Sequence, residues 1–198
     1  AVYHYDMCLD NWGAKTTNKL SYQELIFMIS EIDYDNEKPY IYLDKEDNKE
    51  FKSEFYSKYS IKSTNKIILL NTGCGPVYPH KKWTKDGYIK LINDLLKDKN
   101  NIIILTGSSS ESRRNDDINK STNSNRVIDT TSLYSIRKFC NLIDLSDIVI
   151  TGDTVALHIA ISLQKKIVSF FGPTPHQEIN LFGLGTKLVR EELDCLNC

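Results

Sequence analysis

Residues 151–158 read Thr-Gly-Asp-Thr-Val-Ala-Leu-His and follow an apolar run at 148–150. A short apolar helix and a second strand-like run at 167–171 come next. In an open parallel sheet, ligands sit beyond the carboxyl ends of the strands, beside helix N-termini. Unpaired N–H groups and the helix dipole favour anions such as pyrophosphate there. Gly152, Asp153 and Thr154 fall at such a strand-to-helix junction, with His158 one turn further along. Asp153 or Thr154 can also cap the helix, which is compatible with binding. His158 lies among Ala156, Leu157, Ile159, Ala160 and Ile161. It is either a packed side chain making one hydrogen bond or a group that faces the anion.

A second stretch follows the apolar run at 67–70 and reads Asn-Thr-Gly-Cys-Gly-Pro-Val-Tyr-Pro-His-Lys-Lys-Trp, residues 71–83. Gly73 and Gly75 let the backbone turn tightly or approach a ligand closely. Lys81 and Lys82 put positive charge near a strand end, which suits a phosphate, although two lysines before a helix also describe a solvated surface. Glu111, after the next strand run, could accept hydrogen bonds from ribose hydroxyls, as could its polar neighbours. The turn at 170–175, Phe-Phe-Gly-Pro-Thr-Pro, is stiffened by Gly172 and two prolines. It is a plain rigid loop or a wall of the same site. The P-loop, the Gly-x-Gly-x-x-Gly helix opening, His-Glu-x-x-His and the Gly-x-Ser-x-Gly elbow are all absent from the sequence.

These residues need a scaffold, and the hydrophobic pattern supplies one. Strand-like runs at 67–70, 102–105, 126–128, 148–150 and 167–171 are largely apolar rather than alternating, with Arg126 and Ser169 the exceptions, as in a sheet covered on both faces. Between them the spacing predicts a helix over 84–97, with Tyr88, Leu91, Ile92, Leu95 and Leu96 inward. It predicts another capped by Ser132, with Leu133, Ile136, Cys140 and Ile143 inward. Residues 107–120 are mostly polar and read as an exposed helix or a loop. Alternation of strands and helices argues for βαβ units and an α/β fold with a doubly wound parallel sheet. Ahead of this unit, Ser21 and Glu24 make a capping box for a helix over 21–32, with Leu25, Met28, Ile29 and Ile32 on one face. Residues 40–43 suggest a short strand and 45–59 a charged helix. Residues 1–62 therefore read as a connector with partial elements, and 63–198 as the principal domain.

The 198 residues are 40% hydrophobic and 26% charged, with a net charge of −1. That is ordinary globular composition, with no basic field to attract nucleic acid or an anionic membrane. No apolar run approaches the ~20 residues of a membrane span. The chain begins at Ala1 rather than Met, which leaves room for an upstream segment. An odd count of five cysteines, with Cys8, Cys74 and Cys140 scattered, argues for a reducing cytoplasm. Cys195 and Cys198 form a Cys-x-x-Cys pair, but a structural zinc needs two more ligands and none is near in sequence. Two reduced thiols and no metal are the expectation.

Taken in order, the strand with Asn-Thr-Gly-Cys-Gly and Lys81-Lys82-Trp83, Leu105-Thr106-Gly107, Asp147 through Thr154 with His158, and Phe171-Gly172-Pro173-Thr174 resemble glycosyltransferase family 9. These are the heptosyltransferases of bacterial lipopolysaccharide synthesis. The terminal Cys-x-x-Cys recurs in many members. The resemblance covers residues 66–198 and implies one Rossmann-like half of a two-domain, GT-B enzyme. It implies the half that holds a nucleotide sugar such as an ADP-heptose, with the acceptor domain lying outside this chain.

On that resemblance the donor site comprises Thr72, Gly73, Gly75, Lys81, Glu111, Asp153, Thr154, His158 and Gly172. Lys81 would contact the pyrophosphate or the sugar and act electrostatically, Asp153 and Thr154 would hold the donor, His158 would lie near the phosphates, and Glu111 would meet the ribose. The general base would lie in the acceptor domain, so the isolated piece is expected to be inactive. No cofactor is implied beyond the donor substrate. The acceptor would be a glycolipid or oligosaccharide, handled in the cytoplasm at the inner face of the inner membrane, with peripheral association. Val155 stands where the family usually has Gly, and a Val hinders close backbone approach to a diphosphate. A binding module that has lost catalysis, and a sugar-nucleotide epimerase of similar architecture, are the alternatives.

Overall fold

The computed structural model describes residues 18–75 and 79–190. Cys8, Cys195 and Cys198 lie outside the described residues. Six strands form one sheet: β1 (Lys66–Asn71), β2 (Asn101–Thr106), β3 (Val127–Asp129), β4 (Ile148–Gly152), β5 (Lys166–Phe170) and β6 (Gly185–Leu188). The order across it is β3-β2-β1-β4-β5-β6, and every neighbouring pair is parallel. This is the doubly wound, Rossmann-like arrangement, and its order reverses between β1 and β4. Crevices for ligands open at that reversal, beyond the strand ends.

Apolar runs on these strands make sense once both faces are seen. Ile67 and Leu69 of β1 face a core shared with Ile104, Val149 and Ile167. That core also holds α2 (Lys45–Lys58), α5 (Ile136–Asp144) and α6 (Val155–Ser162). Ile68 and Leu70 face the opposite way, into a core with Ile103, Leu105, and Tyr88 and Ile92 of α3 (Lys85–Leu95). Ile118 of α4 (Ser112–Thr122) completes it. The polar stretch left open as helix or loop is thus a helical turn at Ser109–Glu111 running into α4. Its inner stripe is Glu111, Asn115 and Ile118, all buried, and two of the three are polar.

Several expectations change. The first helix, α1 (Tyr22–Ile29), keeps the capping box of Ser21 and Glu24 but ends early. Of its expected inner face only Leu25 is buried, while Met28, Ile29 and Ile32 are exposed. Residues 40–43 form no strand. Tyr40 and Tyr42 are exposed while Ile41 and Leu43 rest on the core, so the segment alternates like a strand but has no partner strand among the described residues. Helix α5 is preceded by Ser135, not Ser132. Ser132 sits at φ 58°, and its N–H donates to the Gly107 carbonyl, so a left-handed turn delays the helix and leaves Leu133 and Ile136 exposed. Strand β6 carries no apolar signal. It is a short, largely exposed edge, the usual way to blunt a sheet margin.

Candidate functional site

Connections after β1, β2, β3 and β4 emerge side by side and line a cleft of about 850 Å³. Small-molecule sites occupy roughly 300–1,000 Å³. The ends of β3 and β4 lie three strand spacings apart, about 14 Å, so the cleft is long enough for an extended molecule.

The region fed by β1 and β4 is charged. Lys81 closes a single helical turn at Pro79–Lys81, and its Nζ lies 2.9 Å from Asp153 Oδ2. Both side chains are 15% exposed, so the pair is shielded but reachable. His158 Nε2 is 3.8 Å from the other Asp153 oxygen. Around it, Ala156, Leu157, Ile159, Ala160 and Ile161 are buried, whereas His158 is half-exposed and lines the cleft. The side chain is thus turned toward the cleft rather than packed among those apolar neighbours.

Thr154 occupies the N-cap position of α6 but makes no side-chain cap bond. Its hydroxyl instead accepts from Asn71 Nδ2 at 3.0 Å and lies 3.0 Å from Thr151 Oγ1. The expected cap is therefore not made, because a better-placed amide on β1 takes the hydroxyl. The first N–H groups of α6 are left without a side-chain cap at the end of the cleft that Lys81 and Asp153 also line, and unpaired helix N-terminal amides favour anions. Val155, the first residue of α6, is 60% exposed and forms part of the wall.

Lys82 turns to the other side of the loop, where its Nζ lies 2.7 Å from Glu111 Oε1. The Glu111 side chain is 1% exposed. It also accepts from the Ser108 N–H at 3.0 Å, the Ser108 hydroxyl at 2.6 Å and the Ser110 hydroxyl at 2.8 Å. Glu111 thus closes a capping box and neutralises a lysine while lining the cleft. Gly73 matters to it directly, since a Cβ there would lie 2.6 Å from Glu111 Oε2. The space that Gly73 leaves is filled by this carboxylate. Gly75 has φ +74° with nothing near an added Cβ, so it serves the turn itself.

Thr72 is buried, with its hydroxyl donating to Asn115 Oδ1 at 2.5 Å, and it lies behind the cleft wall rather than in it. Gly172 is near the His80 carbonyl and is likewise not a lining residue. Reasoning from sequence passed over Asn71, Ser108, Ser109, Tyr22, Tyr134 and Phe139, which all line the cleft. Asn71 had a readable signal, an amide ending an apolar strand run. Tyr22 had none, because it arrives from α1, far away in sequence. Among the described residues, no group of three or more His, Cys, Asp and Glu side chains is placed to hold a metal ion, and no helix is long and apolar enough to cross a membrane.

Burial pushes the Glu111 carboxyl up, but hydrogen bonds from Lys82, Ser108 and Ser110 and the Lys82 charge outweigh it and hold the group below 4.5. A carboxyl lowered by folding adds stability at pH above its unfolded value, and that stability is lost as pH falls through the folded value. In urea unfolding, wild type should therefore exceed Glu111→Gln in stability near neutrality. The gap should shrink steadily once pH drops below the ordinary carboxyl value of 4.5. A gap that is constant with pH would show that the ionised form carries no advantage.

A family model described as glycosyltransferase family 9 (heptosyltransferase) matches residues 16–198. The chain is 26% identical over 151 residues to lipooligosaccharide heptosyltransferase 2 of Campylobacter jejuni subsp. jejuni serotype O:6. That alignment covers 75% of this chain and 47% of the relative, so the chain spans about half the length of the curated protein it matches. The fold is similar to that of E. coli ADP-heptose LPS heptosyltransferase II, with a TM-score of 0.67 at 18% identity over 81% of this chain and 48% of that one. It is also similar to a family 9 glycosyl transferase from Veillonella parvula, with a TM-score of 0.73 at 16% identity over 89% and 51% of the two chains. With its doubly wound sheet and charged cleft at the strand reversal, this chain belongs to glycosyltransferase family 9.

Proposed function

We propose that this chain is the donor-binding half of a glycosyltransferase, with residues 63–198 as the nucleotide-sugar domain and 1–62 leading into it. The acceptor domain lies elsewhere in the full-length protein, in a GT-B arrangement. The donor is an ADP-sugar of the heptose type, and the acceptor is a lipopolysaccharide-core-like glycolipid or oligosaccharide. The observation that carries the reading is the convergence of Lys81 and His158 on Asp153 beside the uncapped start of α6. Membership of family 9, and a similar fold in a protein named for ADP-heptose, support the sugar-nucleotide class.

Each part of the cleft then has a task. The diphosphate sits by Lys81, Thr154 and the first amides of α6. The nucleoside extends past Glu111 and Ser108 toward the connection after β3, where Tyr134 and Phe139 offer aromatic walls beside Tyr22. Transfer is inverting. An acceptor hydroxyl attacks the anomeric carbon, the bond from that carbon to the diphosphate oxygen breaks, and the electron pair leaves with ADP. The acceptor's proton goes to a base in the acceptor domain. Lys81 and the amides beside Thr154 stabilise the charge that builds on the departing diphosphate.

Val155 favours a second reading. It is an exposed β-branched side chain at the point where the backbone of α6 would meet a diphosphate, as expected of a module that binds donors without turning them over. Calorimetry and turnover with ADP-heptose and a lipopolysaccharide-core acceptor, both on the full-length protein, separate the two. Binding with transfer is the expected result, binding alone supports the module, and no binding of any ADP-sugar overturns both.

A further inference from the structure

Three side chains meet beneath the anion-binding corner of the cleft. Asn71 ends β1 and is 7% exposed, and its Nδ2 lies 3.1 Å from the Gly73 carbonyl, 3.2 Å from Thr151 Oγ1 and 3.0 Å from Thr154 Oγ1. Its own backbone carbonyl accepts from the buried Tyr88 hydroxyl at 3.2 Å, which fixes the strand end. Because the Gly73 carbonyl can only accept, the amide nitrogen must be the atom turned toward it, and hence toward both threonines. Asn71 therefore offers these hydroxyls only N–H groups, and neither hydroxyl can give its proton to Asn71.

That leaves two hydroxyl protons to place. The Thr151–Thr154 contact at 3.0 Å takes one, with either oxygen able to donate. If Thr154 donates, Thr151 passes its own proton to the Gly152 carbonyl at 3.0 Å. If Thr151 donates, the Thr154 proton points away from both partners and into the cleft that Thr154 lines. The chain can thus run in either direction, and an anion arriving at α6 selects the second. We infer that Asn71 is a positioning residue: its amide, whose two N–H groups are shared among the Gly73 carbonyl and the two threonine hydroxyls and which turns no acceptor toward them, keeps the Thr154 hydroxyl proton available to the diphosphate of the donor. This rests on the donor reading above. It adds a residue to that reading and ties the end of β1 to the start of α6 across the strand reversal.

A double-mutant cycle in the full-length protein tests it, with ADP as probe and UDP and GDP alongside. Thr154→Val removes the hydroxyl at nearly constant shape and should weaken nucleotide binding about 10- to 100-fold, the worth of a hydrogen bond to a charged group. Asn71→Asp has nearly the shape of Asn but presents only acceptors, which draw the threonine proton inward. Its loss should be at least about 10-fold larger when Thr154 is present than in the Thr154→Val background. Charge repulsion and any general loosening of the loop weigh equally on both backgrounds and cancel. Asn71→Ala, run in the same cycle, should show the same dependence on Thr154 without the added charge. Equal losses in the two backgrounds would overturn the role of Asn71 and leave the donor site standing. Wild type that binds none of the three nucleotides would overturn the donor site itself.

Discussion

Lys81→Ala in the full-length protein should lower kcat by about 10²–10³, the usual cost of removing one preorganised donor to developing charge. The ammonium is held 2.9 Å from Asp153, and both side chains are mostly withdrawn from water. It is therefore in place before the bond breaks, and little reorganisation accompanies the reaction. The charge on the diphosphate grows as the sugar departs, so the contact strengthens toward the transition state and its loss falls on kcat more than on KM. Its neighbour is a sharp control. The Lys82 charge is committed to a buried carboxylate at 2.7 Å. Lys82→Ala should therefore reduce stability and change turnover much less. Steady-state kinetics on both variants decide the matter, and near-normal kcat for Lys81→Ala would overturn its assignment.

The two lysines also show where sequence reasoning reaches and where it stops. A Lys-Lys pair after a strand is visible as positive charge, but which lysine faces the cleft depends on a single helical turn and on the carboxylates that approach from other strands. Asp153 comes from the connection after β4 and Glu111 from the connection after β2, and only the strand order brings them to either side of the loop. Fold class was far more legible. Continuous apolar runs such as 67–70 and 102–105 leave few options besides a sheet buried on both faces, and the helices between them force parallel pairing. Elements held by tertiary context escaped. Strand β6 is polar and lies at an edge, and residues 40–43 have a strand's alternation but, among the described residues, no strand to pair with. The polar hubs escaped too. Asn115 gives no sign of its role in the sequence, and Asn71 shows only as an amide ending an apolar run. Their value comes from being buried where several strand ends converge: Asn115 accepts from Thr72 after β1 and donates to Thr131 after β3.

Gly73→Ala should cost about 1–3 kcal/mol of stability, the range for forcing volume into a packed site, although nothing at this position demands a glycine conformation. The added Cβ would lie 2.6 Å from Glu111 Oε2, 2.8 Å from its Cδ and 3.1 Å from its Cγ. A flexible side chain would swing aside. Glu111 has no such freedom, since moving it gives up Lys82, both Ser108 donors and Ser110. Glycine at 73 is thus explained by what the second strand's loop sends into its space. A background substitution makes this testable. In Glu111→Ala the three crowding atoms are gone, and Gly73→Ala should become nearly neutral, a coupling of roughly 1 kcal/mol or more between adjacent sites. Gly107 supplies the contrast, because a Cβ there would press on Glu111 Cβ at 2.9 Å, an atom that alanine retains. Gly107→Ala should therefore stay costly in both backgrounds. Urea unfolding of the three single and two double variants reads all of this, and a Gly73→Ala penalty that persists without the Glu111 carboxylate would mean that the loop's own backbone, and not that side chain, requires glycine.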